Sequence, residues 1–531
     1  MTPAELEYRP LRAPRASGSA LIEPTAAEAV ALLHGRSPII DAPAVEISGL
    51  SLPTLAKQAR RELIQLARDY TFAYRAPFDL PGEAAPIVMA GHQPGLFHPG
   101  VWFKNFLLHS VASAAGATPI NLIVDNDIVA SPAIAVPEVD ASGNWNQDRV
   151  SFDHSSPPIA WEERTILDRD TFRQFGAAAA EAIRPLVDEP LIESYWPRVL
   201  TATESNDNIG RAFAQARHQL EADWGLRTLE IPLSQAYGTE SFLRFALRLW
   251  HDAPSFRAIY NSAIDEYRQL HKIRSANHPA PHLAQEGELI ETPLWIWTKA
   301  DPRRRGLFVA VTSSGIRLTD RGSFDQKIPG DIDGAISALR ELQSEVRLRP
   351  RALLTTMYAR LILSDLFLHG IGGAKYDQVT DLIIARYFGV TPPQIVAATA
   401  TVHLPIARTR TDVEQLARIA RLMRDLRFNP DRHLGDGNLP EEITQLVDEK
   451  ERWLLDDQPA QLAQRHRALE GINLALQPYV APQRAALEQE LAQNKREARN
   501  DAIAFSREYP FCLFPEKSLR TLLLDLSAAA P

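Results

Sequence analysis

Between Ile87 and Val124 the hydrophobic period changes twice, and this stretch restricts the fold more than any other. Ile87, Val88 and Met89 form an apolar run that stops at Gly91, the pattern of a strand buried on both faces of a parallel sheet. The loop GHQPGLFHPG follows. From Val101 to Ala115 apolar residues recur at helical spacing, with Gly116 placed to end the helix. Pro119 then opens a second strand, Ile120 to Val124, which runs into Asp125, Asn126 and Asp127. Strand, glycine loop, helix and strand make a βαβ unit, which closes as a right-handed crossover between parallel strands. Ligands of such sheets sit at the carboxyl ends of the strands. The Gly91 loop and the Asp125 cluster are therefore expected to face one another across a single crevice.

The rest of the chain is read around that unit. Residues 1 to about 50 are rich in Pro and Ala and are expected to lie as an extended arm on the core, before a helix over Leu55–Tyr74. Residues 140–225 are polar and read as a helical and irregular insertion. Leu229–Leu233 is expected to be a strand and Glu240–Tyr267 one or two helices. Leu294–Trp297 and Leu307–Val311 read as a hairpin, with Arg303 to Arg305 at a solvated turn tip. Arg351–Phe367 is an apolar helix by pattern, followed by the loop HGIGGAKYDQ and a helix over Gln378–Tyr387. From Thr411 to Glu508 long runs rich in Leu, Ala, Glu, Gln and Arg fit an antiparallel helical arm or coiled coil. The expected domains are a core over 1–405, with the insertion near 140–225 and a connecting segment near 240–330; a helical arm over 406–500; and a tail, 501–531, returning to the core.

Composition removes several function classes. With 57 basic and 66 acidic residues and a formal charge of -9, the chain has no overall positive field to gather nucleic acid. The single cysteine, Cys512, excludes an intramolecular disulfide and a cysteine-rich zinc site, and between Phe511 and Leu513 it reads as a buried apolar residue. The opening MTPAELEYRPLRAP lacks the apolar core of a secretory signal, and the apolar stretch from Leu361 to Ile371 is short and broken by Asp365 and His369. No membrane partner and a cytoplasmic location are expected.

The candidate chemistry lies in the loops. Gly91, Gly95 and Gly100 let backbone approach a ligand, and the start of the following helix favours an anion. His92, Gln93, His98 and Lys104 crowd two imidazoles, an amide and an ammonium onto that loop and the first turns. Asp125 and Asp127 can orient an amine or bind Mg²⁺ with phosphates, or can simply cap the next element. Gly372, Gly373, Lys375 and Tyr376 form a second glycine loop, either a ligand site or a helix-ending turn. His278 and His282, in RSANHPAPH, offer two imidazoles, but no acid or cysteine in that segment completes a metal pattern, so no protein-held metal is expected.

The pattern AGHQPGLFHPGVWFKN resembles the signature of the bacillithiol-biosynthesis cysteine ligases. The block LRPRALLTTMYARLILSDLFLHGIGGAKYDQVTDLIIARYFGVTPPQIV and the tail YPFCLFPEKSLRTLLLDL are similar to that family's later segments. The resemblance implies an α/β fold with a Rossmann-like parallel-sheet core, connecting insertions and a helical coiled-coil arm that makes a homodimer. It also implies a ligase joining cysteine to a sugar amine such as glucosaminyl malate. Forming an amide from a carboxylate requires making an oxygen leave, commonly by nucleotide-dependent activation, so ATP or another adenine nucleotide with Mg²⁺ is the expected cofactor. In that scheme the Gly91 loop and Lys104 hold phosphate oxygens while His92 and His98 donate to developing charge. The chain departs from the family by carrying His92 and Gln93 at the glutamine pair, and Asp125, Asn126 and Asp127 where an acidic-histidine cluster is usual. The alternative from another class is a noncatalytic nucleotide- or metabolite-binding sensor using the same crevice.

Overall fold

The computed structural model describes residues 6, 8, 10–35, 39, 42, 45–406, 413–435, 437, 439–455 and 462–528. It is a mixed α/β protein. A six-stranded sheet runs in the order Ser19–Glu23, Ile395–Thr401, Leu366–His369, Ile87–His92, Thr118–Ile123, Leu229–Pro232. All pairs are parallel except the first, where Ser19–Glu23 adds an antiparallel edge. The central strands are mostly apolar because both faces are covered; all six residues of Thr118–Ile123 are buried, the polar Thr118 and Asn121 included. The Leu52–Phe72 helix turns Leu52, Leu55, Ala59, Leu63 and Ala67 inward at helical spacing. The Pro99–Ala115 helix follows the Ile87–His92 strand and ends at Gly116 with φ 62°, a left-handed cap that glycine adopts without strain.

Several expectations need correction. Residues 1–50 are more than an extended arm: Ser19–Glu23 pairs with Ile395–Thr401 and covers the sheet edge. Ala26–His34 is a helix started by a reciprocal Thr25–Glu28 capping box. The expected helix over Arg351–Phe367 stops early. It is α-helical over Ala352–Tyr358, widens into a π turn over Ala359–Leu363, and gives way to the Leu366–His369 strand. Asp365 causes the switch: its carboxylate accepts from the Ile87 amide and from Arg60, so the chain beyond it is held alongside the Ile87 strand. The segment read as the loop HGIGGAKYDQ contains a short helix, Ile371–Tyr376. The 140–225 region contains the strand Trp145–Ser151, paired with Ala133–Val139, and three helices. Its last helix, Ile209–Asp223, is polar in sequence yet buries Arg217, His218 and Glu221, because these charges are paired inside the core.

A second, antiparallel sheet runs Asp325–Ile328, Gly315–Thr319, Arg305–Thr312, Leu289–Thr298, Val346–Pro350, so the expected hairpin forms. The chain divides into two compact units. One comprises Met1–Val136, Arg149–Pro405 and Arg507–Pro531 and contains both sheets; the other comprises Pro137–Asp148 and Ile406–Ser506. The second unit carries the helices Val413–Phe428, Glu441–Leu455, Leu462–Leu476 and Ala481–Ala504, with Ile443, Ile472 and Leu476 in a small core of its own. No helix among the described residues is long and apolar enough to cross a membrane.

Candidate functional site

At the carboxyl ends of the parallel strands the Gly91 end of the loop and the Asn126–Asp127 turn face one crevice, as expected, while the later part of the loop lines a second cavity. A crevice of about 390 Å³ takes Gly91, His92, Gln93, Asp127 and Tyr376. A separate cavity of about 470 Å³ takes His98, Gly100, Lys104, Gly372 and Lys375. The loop residues part because Gly91 and His92 belong to the strand, whereas His98 caps the start of the following helix.

In the crevice, the Gln93 amide donates to Asp127, and Asp127 also accepts from the Ile128 amide (2.8 Å) and from Arg304 (3.3 Å). Arg304 donates in addition to the Asn126 carbonyl at 2.8 Å. The reading of all three turn arginines as solvated therefore fails for Arg304, which is 13% exposed while Arg303 is 67% exposed. The reason is that its guanidinium is drawn onto the Asp127 carboxylate and the Asn126 carbonyl, acceptors distant in sequence. Trp295 lies between Arg304 and Arg351, whose guanidinium carbons stand 5.1 and 4.2 Å from its ring centre. Arg351 is anchored by Glu291 at 2.5 Å.

His92 does not present a nitrogen to this space. Its Nε2 faces the Asn105 side-chain oxygen at 3.1 Å and its Nδ1 the Gln93 carbonyl at 3.0 Å. Asn105 is oriented by donating to Glu221 at 2.8 Å, which fixes its oxygen toward the imidazole. Burial, with Arg217 and Lys104 nearby, holds the His92 pKa well below its usual value, so the ring is neutral at pH 7. The expectation that His92 donates to a developing charge is corrected: its ring forms a wall, fixed from inside the core.

Asp125 is likewise not a ligand group. Its carboxylate accepts from the Ser234 amide at 2.9 Å and from the Ser234 hydroxyl at 2.5 Å, capping the short helix that follows the last parallel strand. Burial, with Glu162 nearby, pushes its pKa up to about 7. The folded state thus binds this proton more tightly than the unfolded state does. Its contribution to stability is complete below the ordinary carboxylate pKa and fades as pH rises toward 7. Asp125→Asn should flatten the fall in stability between about pH 4 and pH 7, as read from urea midpoints; an unaltered slope would show that another group sets it.

The second cavity is cationic. Arg12, His98, Lys104, Lys375 and Arg507 line it, and no carboxylate does so among the described residues. Lys104 is only 5% exposed, donates to the Gly91 carbonyl at 2.7 Å and pairs with no described carboxylate, so burial lowers its pKa to about 8. His98 accepts from the Gly100 amide through Nδ1 at 3.1 Å, which leaves its proton on Nε2, 3.6 Å from the largely exposed Glu508 carboxylate. Burial, with Arg507 and Lys104 beside it, holds its pKa near 4. Arg507 donates to the Thr399 hydroxyl at 3.0 Å.

The glycines serve different ends. A Cβ on Gly100 would meet the Ala400 carbonyl oxygen at 2.2 Å, so glycine there lets the helix lie against the Ile395–Thr401 strand. Gly95 packs on Trp161 and lines neither cavity, which corrects its assignment to ligand binding. Gly373 also lines neither and packs under His369, whereas Gly372 opens onto the cationic cavity. Arg12, Trp295, Arg304, Arg351, His369 and Arg507 are lining residues that sequence reading missed. His369, ending a strand at the ligand-binding edge, was the one with a usable signal.

Among the described residues only His218, Glu221 and Glu230 bring three metal-type ligand atoms within 4.8 Å of one another. Arg217 already joins both carboxylates there, so the place of a cation is filled. No protein-family model matches this chain, and no curated protein matches its sequence.

Proposed function

We propose that the protein is an amide-forming, carbon–nitrogen ligase-like enzyme that joins an amino acid to a small amine or sugar-amine acceptor after nucleotide-dependent activation of a carboxylate. The observation that carries this reading is the pairing of the two cavities. One is lined by basic groups without a carboxylate and suits phosphate oxygens; its neighbour is walled by Trp295, Tyr376, Gln93 and Asp127 and suits a polar acceptor. The mostly parallel six-stranded sheet, with both cavities at the carboxyl ends of its strands, and the sequence resemblance to the bacillithiol cysteine ligases support the same reading.

Adenine nucleotide fits the basic cavity by charge, where Lys104, Lys375, Arg507 and the His98 Nε2–H would hold its phosphates. Bound there it would supply the leaving group that turns a carboxylate into an acyl donor. The chain's own part is to neutralise charge growing on phosphate oxygen with donors already in place and partly desolvated. Since no carboxylate lines the cavity, Mg²⁺ would enter held by phosphate and water. Dimerisation through the helical unit belongs to this proposal as well.

The test is incubation of purified protein with cysteine, glucosaminyl malate and ATP, with mass spectrometry for the thiol-bearing amide. Lys104→Met should lower product on the order of 10²-fold, the scale of losing one charge-stabilising donor. It should not lower the urea midpoint at pH 7, because a buried ammonium with its pKa near 8 costs stability wherever it stays protonated. Wild type should gain on the variant as pH rises from about 8 toward the usual 10.5. Nucleotide binding without consumption would favour a sensor instead.

A further inference from the structure

His369 ends the Leu366–His369 strand, beside the Ile87–His92 strand, and lines the crevice. His369 as a whole is only partly buried; its Nε2 is buried without a hydrogen-bond partner, and Nδ1 has none among the described residues. Buried polar groups are almost always satisfied, so an orphaned imidazole at a ligand-binding edge calls for its missing partner. The ring is held firmly. Its Cε1 edge lies against Gly373, where a Cβ would come to 1.5 Å, and Phe367 and Tyr376 pack on it in T-shaped arrangements at centroid distances of 5.4 and 6.1 Å. Below it Asp377 is bound by Arg360 at 2.7 Å and by Thr356 at 2.6 Å, so that carboxylate is committed elsewhere.

We propose that His369 is the crevice's proton-accepting contact for an amine-bearing ligand, and that in the ligase reading, on which this part rests, it is a catalytic residue. The amine enters as its free base and attacks a carboxyl carbon activated as a phosphate or nucleotidyl ester. The carbon–nitrogen bond forms, the carbon–oxygen bond to the leaving phosphate breaks with its electron pair, and the proton lost by nitrogen passes to the imidazole. Burial, opposed by Asp377 and aided by Lys104 and Arg360, keeps the free ring near a pKa of 4, so its lone pair is available at neutral pH. The neighbouring Asp377 carboxylate stabilises the imidazolium once it forms. His92 does not take this part: its nitrogens face the Gln93 carbonyl and the Asn105 oxygen, both acceptors, and the one N–H of the neutral ring is directed at one of them.

The test uses the full chain labelled with ¹³C-histidine, the His369 signal being the one lost in His369→Gln. Adding glucosaminyl malate should move that signal, and its N-acetylated form, which lacks the basic nitrogen, should leave it in place. A signal that stays put with the amine, or moves equally with both, overturns the proposal. Amide formation should fall by about 10²–10⁴-fold in His369→Gln with an unchanged urea midpoint; product at the wild-type rate removes the catalytic role. If wild type makes no amide while the amine alone moves the signal, the ligase reading fails and the contact stands.

Discussion

Replacing Gly373 by alanine is expected to disable the crevice, although alanine is the better helix former. The new Cβ would fall 1.5 Å from His369 Cε1 and 2.0 Å from Nδ1, distances no side chain tolerates. His369 cannot swing freely aside, since Phe367 and Tyr376 pack on its ring, so the strain passes to the Ile371–Tyr376 helix. Overpacking of this kind costs about 1–3 kcal/mol. Gly372→Ala supplies the control, because nothing lies within 4 Å of its Cβ position and the helix gains about 0.5–1 kcal/mol from the exchange. Urea unfolding of both variants checks the contrast. Equal midpoints would mean that the second glycine of the pair is not required by His369.

Arg217→Met should be the most damaging single change in the core. The guanidinium joins Glu221 at 2.5 Å and Glu230, and all three side chains are at most 2% exposed. Glu221 also accepts from Trp102 at 2.6 Å and from Asn105, and Glu230 accepts from Asn121 at 2.6 Å. Even with Arg217 present, burial pushes the Glu230 pKa up to about 7. Removing the cation leaves two carboxylates buried together, a loss of about 3–5 kcal/mol. Combining the change with Glu221→Gln and Glu230→Gln should recover part of it, since neutral amides avoid the unpaired charge. The effect should reach the crevice too, because Glu221 orients Asn105 and Asn105 holds His92. A single variant as stable as wild type would mean that the two glutamates are protonated in the folded protein.

Local pattern carried a large part of the fold. The run Ile87–Met89, the helical spacing from Val101 and Gly116 after it state a strand, a helix and a stop within one short segment, and the structure has them within a few residues of those limits. The same holds for the Leu52–Phe72 helix and the hairpin of the second sheet. Such features depend on the period of apolar residues and on caps, which are properties of neighbours in sequence. Where the sequence misled, a distant partner decided. The apolar run after Arg351 satisfies helix and buried strand alike, and Asp365 reaching Ile87 and Arg60 selects the strand.

The site was legible as a set of residues and not as an arrangement. Loop composition marked His92, Gln93, His98, Lys104 and Asp127, all of which lie at the carboxyl edge of the parallel strands. Which cavity each joins, that Asp125 caps Ser234, that His92 turns both nitrogens inward, and that Arg304 and His369 enter at all are consequences of sheet register and of contacts spanning much of the chain. The sequence by itself determined the strand–loop–helix unit and its concentration of polar groups, because chain geometry and periodicity act locally. The tertiary structure alone decided which of those groups face a ligand, because burial and hydrogen-bond satisfaction are settled only when distant segments meet.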